Sequence, residues 1–339
     1  MIRLVRGFLL MVIAILLIVV TTTCMLLLPF EDLFPTRLAE KPETRVKEAK
    51  PAPVEYWTPP DSNKIMAEPN GELIFYGRQL IKQTAEYLGP NGKVKAVSNG
   101  MNCQNCHLDA GTRIFGNNYS AVASTYPKFR DRSGMVESIP KRINDCFERS
   151  LNGSALPEDG KEMQAMIAYM EWLGRDVPKG KGVTGVGLLE LSFLDIPADP
   201  QRGEALYQEK CARCHGKTGE GVMNVAQTAW TYPPLWGPRS FNEGAGLHRL
   251  SRLAGYIKAN MPFDTSSFEK PELTDEESWH LAAFICSMPR PAKDISKDWP
   301  DVTKKPIDHP FGPYTDGFDE RQHKYGPFKP IVEKRKTSE

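Results

Sequence analysis

Cys103-Gln104-Asn105-Cys106-His107 recurs in pattern as Cys211-Ala212-Arg213-Cys214-His215, and these two stretches decide how the rest of the chain is read. In C-x-x-C-H, two thioether bonds hold a porphyrin edge and the adjoining histidine gives iron one axial nitrogen. A bare C-x-x-C pair also suits half a zinc site or a redox disulfide, but neither requires the histidine that follows both copies. The pattern predicts two covalently bound haem c groups, attached through Cys103, Cys106, Cys211 and Cys214, with His107 and His215 on iron. Each haem unit needs only about 100 residues, because the porphyrin supplies part of the core.

The chain of 339 residues, 25% charged and 40% hydrophobic, has room for two such units. A net charge of +1 gives no bias toward nucleic acid. Of 7 cysteines, haem attachment leaves Cys24, Cys146 and Cys286, which is no disulfide framework.

Outward from the motifs, apolar residues recur at helical spacing over 71–88 and again over 162–173, where Met163, Met166, Ile167, Met170 and Leu173 share a face. These methionines read as core filling beside a porphyrin edge, not as ligands. The second motif has a short helix before it, 203–210, and a closing helix after it, 276–288, with Trp279, Ala283, Phe284 and Ser287 on one face. Cys286, inside that helix, reads as a small buried hydrophobe. Helix, motif, irregular loops, closing helix: the order occurs twice. It predicts a mostly α protein with two c-type cytochrome domains in tandem, 62–180 and 201–290, joined by a linker at 181–200. Residues 291–339, rich in Pro, Gly and aromatics, read as an extended wrap over a domain. Within it His309 and His323 read as hydrogen-bonded surface residues.

Residues 8–28 are uncharged, follow Arg3 and Arg6, and precede Glu31 and Asp32. The run is long enough for a transmembrane helix. A cleaved signal peptide is the competing reading, but the run exceeds the usual apolar core of about 7–15 residues and no clear A-x-A site follows. The favoured reading is an uncleaved anchor at 1–29, with the basic end cytoplasmic and the bulk on the periplasmic side of the membrane. Cleavage would instead give a soluble periplasmic protein. Arg3 and Arg6 are not adjacent, so a twin-arginine signal is not supported. Cys24 reads as a small apolar residue of the membrane helix. Residues 30–61, rich in Pro, Lys and Glu, read as an extended tether.

The second axial ligand sets what each iron does. In the second domain the candidate is Met261, in Ala259-Asn260-Met261-Pro262, with His248 as the alternative; a thioether raises the potential. No Met-Pro lies between Leu108 and Glu162, where Met135 and Cys146 are found instead. Read from its residues alone, Cys146 is equally an inert buried thiol or a thiolate on iron, a sulfur nucleophile beside an electron sink. From 113 to 149 there are seven basic residues, Arg113, Lys128, Arg130, Arg132, Lys141, Arg142 and Arg149, against four acids. Lys128 and Lys141 also suit a solvated face, whereas crowded arginines suit an oxyanion, which a guanidinium grips by two oxygens.

Together the residues Cys-x-x-Cys-His-Leu-Asp-Ala-Gly at 103–111, Arg-Ile-x-x-Cys-x-x-Arg-Ser-x-Asn-Gly at 142–153, Tyr-Pro-Pro-Leu-Trp-Gly at 232–237, Phe-Asn-x-Gly-Ala-Gly at 241–246 and Asn-Met-Pro at 260–262 form a specific set. With them the chain resembles the dihaem c-type thiosulfate dehydrogenases, which couple thiosulfate and tetrathionate. The resemblance covers most of the chain beyond the tether. It implies that Cys146 is the axial ligand of haem 1 and the catalytic sulfur, and that Met261 ligates haem 2. Some members carry a lysine beside that methionine; Asn260 stands here, and no ligand switch is carried over. Leu247 replaces an expected Met, and Cys286 stands where a non-thiol is more usual.

Two thiosulfate dianions about 4 Å apart repel by roughly 4 kcal/mol even in water, which the protein must offset. Arg132, Arg142 and Ser150 are the candidates for holding sulfonate oxygens. Electrons would then pass through haem 2 to a separate cytochrome or a membrane redox partner. Two other classes fit less well: a non-catalytic electron carrier, and a sulfur-carrier subunit that works only with a partner protein.

Overall fold

The computed structural model describes residues 2–27 and 54–337. The side chains of Arg3 and Cys24 and most of the expected tether lie outside the described residues. Helix α1 (Ile2–Leu27) contains one stretch, Val5–Thr23, long and apolar enough to cross a membrane, as an anchor or as a signal sequence. Its three threonines each turn the hydroxyl back to a carbonyl one turn earlier, Thr21 to Leu17 (2.8 Å), Thr22 to Ile18 (2.7 Å) and Thr23 to Val19 (2.7 Å). That satisfies a polar hydrogen which lipid could not.

The folded body is two helical units of the same plan. The first runs α2 (Gly71–Lys82), α3 (Thr84–Leu88), the single turns α4 (Leu108–Gly111) and α5 (Val122–Thr125), α6 (Ile139–Arg149) and α7 (Lys161–Leu173). A hairpin of β1 (Lys128–Arg130) and β2 (Met135–Glu137), with Phe129 opposite Val136, precedes α6. The second runs α8 (Pro200–Lys210), the turn α9 (Ala212–His215), the hairpin β3 (Val222–Met223)–β4 (Trp230–Tyr232), α10 (Leu250–Asn260) and α11 (Asp275–Ser287).

In each unit the first and last long helices cross at a glycine. A Cβ at Gly77 would lie 1.9 Å from the Ala165 carbonyl oxygen of α7, and one at Gly203 would lie 1.9 Å from that of His280 in α11. No other residue lets these backbones approach so closely. Under each crossing lies an apolar core: Leu80, Phe147, Met163, Met166 and Leu173 in the first unit, and Tyr207, Leu253, Trp279, Leu281 and Phe284 in the second. The methionine stripe of 162–173 is therefore core, as its spacing indicates, while Ser287 at the end of α11 is exposed.

Five expectations need correction. The single helix over 71–88 breaks at Gln83 (φ −129, ψ 41), where Thr84 gives its hydroxyl hydrogen to the Leu80 carbonyl (2.7 Å) and accepts the Cys103 backbone N–H (2.9 Å). The break thereby seats the first motif. The "irregular loops" contain two real helices. α6 is started by Ser138, whose hydroxyl accepts from the Lys141 N–H (3.2 Å), and α10 buries Leu250, Leu253, Ala254 and Ile257 at helical spacing. Met261 is thus the residue that ends α10, not a loop interior.

The C-terminal wrap is not uniformly extended: α12 (Glu320–Tyr325) and α13 (Lys329–Lys336) form within it, and Phe328 and Ile331 enter the second core. Nor are its histidines on the surface, since His309 is 7% and His323 0% exposed. His323 is buried with both nitrogens satisfied, by the Ile307 carbonyl (2.7 Å) and Asp316 (3.0 Å), under the stacked ring of Tyr314 at 3.6 Å. At the other end, the last part of the expected tether lies on the body: Tyr56 packs edge-on to Phe115 and Phe268, and the Trp57 N–H donates to the Thr184 carbonyl (3.3 Å).

Candidate active site: two haem sites and an arginine cluster

After the first motif the chain makes a left-handed turn through Asp109, Ala110 and Gly111 (φ 54, 56 and 81). A Cβ at Gly111 would lie 2.1 Å from the Tyr119 ring, so only glycine lets Tyr119 stack on His107, at 4.4 Å between centroids. His107 Nδ1 then donates to the Asn117 carbonyl (2.6 Å), and in the second motif His215 Nδ1 donates to that of Pro233 (2.8 Å). With each Nδ1–H committed, the Nε2 lone pair is the one left for a metal, that of His107 meeting only a long contact from Asn117 Nδ2 (3.4 Å). Burial lowers both imidazoles, His107 to about 4, so each is the neutral base that ligation needs.

Beside the second motif is a cavity of about 470 Å³, in the size range of cofactor sites. Cys211, Cys214 and His215 line it, Met261 lines it too, and Leu253 and Ile257 of α10 add apolar walls. Two thioether-forming sulfurs, a neutral imidazole, a free thioether and an apolar slot are the donor set of a c-type haem. His248 is not part of this lining. Its ring nitrogens face the carbonyls of Glu243 (3.1 Å) and Cys286 (3.3 Å) instead. Cys286 itself is half-buried, with its desolvated thiol pushed up to about 12, which suits a packing residue. Cys106 of the first motif lines the same cavity, and the Tyr256 hydroxyl of α10 donates to the carbonyl of Asn105 (2.9 Å). The two haem sites are therefore neighbours.

On α6, Arg142, Cys146 and Ser150 follow at intervals of four and so share one face. The neighbouring Cys146 is the main influence on Arg142, raising its pKa against the effect of burial. Cys146 also acts on Cys103 and Cys106, whose thiols are pushed up to about 12 mainly by burial. It therefore stands beside the first motif. Ser150 ends the helix, its N–H donating to the Cys146 carbonyl (2.8 Å).

The basic run divides by partner. Lys141 pairs with Asp145 (2.5 Å), and Arg113 pairs with Asp109 (2.8 Å) while lying over Phe263. Arg149 is forked onto Asp298 by two bonds of 2.7 Å. Arg132 and Arg142 have no ion pair among the described residues. Arg132 has one long bond, to the Gly244 carbonyl (3.3 Å), and is lowered to about 10 by burial first and then by Arg149 and Arg142. A half-buried cluster of guanidiniums with one matching carboxylate is an anion site. The sequence-predicted Arg132, Arg142, Cys146 and Ser150 are thus brought together. The second motif and Met261 form a separate site.

Sequence reading missed the supports. The 241–246 stretch reaches across from the second unit: Asn242 Nδ2 donates to the Glu148 carbonyl (2.8 Å) and the Asn242 N–H to that of Arg149 (3.1 Å), capping α6. Asp298 and Trp299 of the wrap complete the cluster, and only their proximity in space marks them.

A family model described as "SoxA/TsdA, cytochrome c domain" matches residues 93–178, and one described as "Cytochrome C oxidase, cbb3-type, subunit III" matches residues 198–285. A thiosulfate dehydrogenase of Psychrobacter arcticus is 38% identical over 242 residues, 71% of this chain and 71% of that protein. One of Allochromatium vinosum is 41% identical over 225 residues, 65% of this chain and 79% of that protein. Among solved structures, the thiosulfate dehydrogenase (TsdBA) of Marichromatium purpuratum in its "as isolated" form matches with a TM-score of 0.64 at 34% identity, over 70% of this chain; the chain spans 50% of that longer one. Two cytochrome c domains with two covalently bound c-type haems, in an arrangement shared with these relatives, place the chain in the thiosulfate dehydrogenase family of oxidoreductases.

Proposed function

We propose that the protein oxidises thiosulfate to tetrathionate at Cys146, and that the same site runs in reverse when the electron supply favours it. The observation that carries this reading is the face of α6, which sets Cys146 between Arg142 and Ser150, with Arg132 beside them and no carboxylate among the described residues paired to either arginine. His107 and Cys146 would hold haem 1, and His215 and Met261 would hold haem 2. When bound, the haems supply the electron sink.

The chain's own groups do the rest. Arg132, Arg142 and the Ser150 hydroxyl hold sulfonate oxygens and offset the repulsion between dianions. The Cys146 thiolate forms a sulfur–sulfur bond with the outer sulfur of one thiosulfate, with loss of two electrons, giving Cys–S–S–SO₃⁻. The outer sulfur of a second thiosulfate attacks the sulfur bonded to Cys146, releasing tetrathionate and restoring the thiolate, as in thiol–disulfide exchange. Electrons leave through the second unit to a cytochrome or a membrane-bound redox partner. α1 would hold the enzyme on the periplasmic side of the membrane, or would be removed to leave it soluble there.

The test is thiosulfate-dependent reduction of an artificial acceptor by protein with both haems present, wild type against Cys146→Ala. Tetrathionate from the wild type alone supports the reading. Free electron exchange by both haems with no turnover in either protein would return the chain to a carrier role.

A further inference from the structure

Trp299 carries two costs at once. Its φ is +61, a left-handed conformation that a bulky aromatic residue rarely adopts, and its indole Nε1 is buried with no hydrogen-bond partner. A buried orphan donor and a strained backbone at one residue mark a place where something other than stability has been selected.

The surroundings say what is missing. The Trp299 N–H donates to the Arg132 carbonyl (2.7 Å), and the Arg132 guanidinium lies 5.8 Å from the centre of the Trp299 ring. The preceding residue, Asp298, takes both nitrogens of Arg149 at 2.7 Å, so the one nearby carboxylate is already used. On the far side the His309 ring stands edge-on at 5.9 Å and offers no carboxylate either. Among the described residues, Arg132 is a cation with no paired carboxylate and Trp299 Nε1 is a donor with no acceptor. Both lack the same kind of partner, an oxyanion.

We propose that Trp299 Nε1–H and the Arg132 guanidinium together hold a sulfonate group of the substrate, so that the C-terminal segment builds one wall of the active site. The inference rests on the proposed reading of that site and adds a specific donor, from a stretch more than 140 residues beyond Cys146 in sequence. It also gives Asp298 a role: by occupying Arg149 it fixes residues 298–299 in place and leaves Arg132 free. The sulfonate of thiosulfate and that of tetrathionate are the same chemistry, so the donor should serve both directions.

Trp299→Phe tests this, since it keeps an aromatic ring beside Arg132 and removes the N–H together with part of the indole. In holoprotein with both haems, the KM for thiosulfate and that for tetrathionate should each rise about tenfold, the expected size for a lost hydrogen bond to a charged group, with kcat within about twofold. The melting temperature should fall modestly from the lost ring volume, offset in part by removal of an unsatisfied buried donor, so KM is the deciding readout. An unchanged KM for both substrates, or a fall in melting temperature with no change in KM, overturns the proposal. Thiosulfate binding to Cys146→Ala and to Cys146→Ala/Trp299→Phe, read as a thermal shift without turnover, separates the two levels. If binding weakens with the indole N–H but wild type makes no tetrathionate, the oxyanion site stands and the proposed reaction falls. If wild type makes tetrathionate and binding ignores Trp299, the reverse holds.

Discussion

The two haem-binding units share a motif, an orienting bond from histidine Nδ1 to a backbone carbonyl, and a helix crossing closed by glycine, but they deliver their remaining sulfur differently. In the first, Cys146 sits inside α6, so helical spacing puts Arg142 and Ser150 on the same face and the 241–246 stretch caps the end. In the second, Met261 is the residue that ends α10, and its neighbours on that helix, Leu253 and Ile257, are apolar. A sulfur flanked by helical neighbours can be surrounded by substrate-binding groups. A sulfur at a helix end, in an apolar slot, can be little more than a ligand. On the proposed reading, the difference between reactor and relay is a difference in where the sulfur lies on its helix, not in the haem motif.

The strongest way to break the comparison is to make the first sulfur like the second. Cys146→Met should abolish thiosulfate turnover, by at least about 10³-fold, because a thioether cannot form and release the sulfur–sulfur bond. The same change should raise the potential of haem 1 by on the order of a few hundred millivolts toward that of haem 2, read by spectroelectrochemistry. Surviving turnover would mean that both units are relays and that the chemistry lies elsewhere.

What could be read before the fold was known follows the range of the forces involved. The haem motifs, the bracketing helices and the methionine stripe are local patterns, set by covalent chemistry or by a period of 3.6, and they stand in the structure. α10 was legible too, since Leu250, Leu253, Ala254 and Ile257 keep helical spacing, but the adjacent Met-Pro drew the reading toward a loop. α6 is mostly polar, and only Ile143 and Phe147 mark its buried apolar side. The burial of His323 beneath Tyr314, the fork of Asp298 on Arg149 and the orphan N–H of Trp299 are contacts made at long range or fixed by the fold. No periodicity announces them.

Acid should sharpen the comparison next. His248 and His309, outside the first unit, are both held down to about 4 by burial, with Arg290 adding to the first, and Lys305 and Arg132 to the second. Below about pH 6.5 the unfolded chain takes up protons that the folded one refuses, so stability falls as pH drops from there toward 4, by on the order of 3 kcal/mol per histidine. Asp308 adds to this at lower pH: burial opposes its charge, but Arg249 and Ser251 keep its pKa below the usual value, and that stabilisation is lost as it protonates. In holoprotein, where His107 would be held by haem 1 and so not titrate, hydrogen exchange should show the second unit and the wrap loosening first, and His309→Gln should flatten the profile between pH 6.5 and 4. Equal loosening of both units would place the acid-sensitive groups elsewhere.

The smallest change probes the seam between the units. Tyr256 lines the second cavity and donates to the carbonyl of Asn105 inside the first motif, while one turn on, Asn260 Nδ2 donates to the carbonyl of Phe115 (3.1 Å). α10 thus braces the first haem motif through Tyr256 and the loop after it through Asn260, and ends at Met261, the ligand proposed for the second haem. Tyr256→Phe removes one brace and should cost only about 1 kcal/mol in chemical unfolding, with the ring still filling its place. If the brace also fixes the spacing of the two haems, electron transfer between them should slow several-fold while the KM for thiosulfate stays unchanged, because the α6 site is untouched. A changed KM with unchanged transfer would show the seam acting on the reactor and not on the relay, which reverses the roles that the two sulfur positions assign.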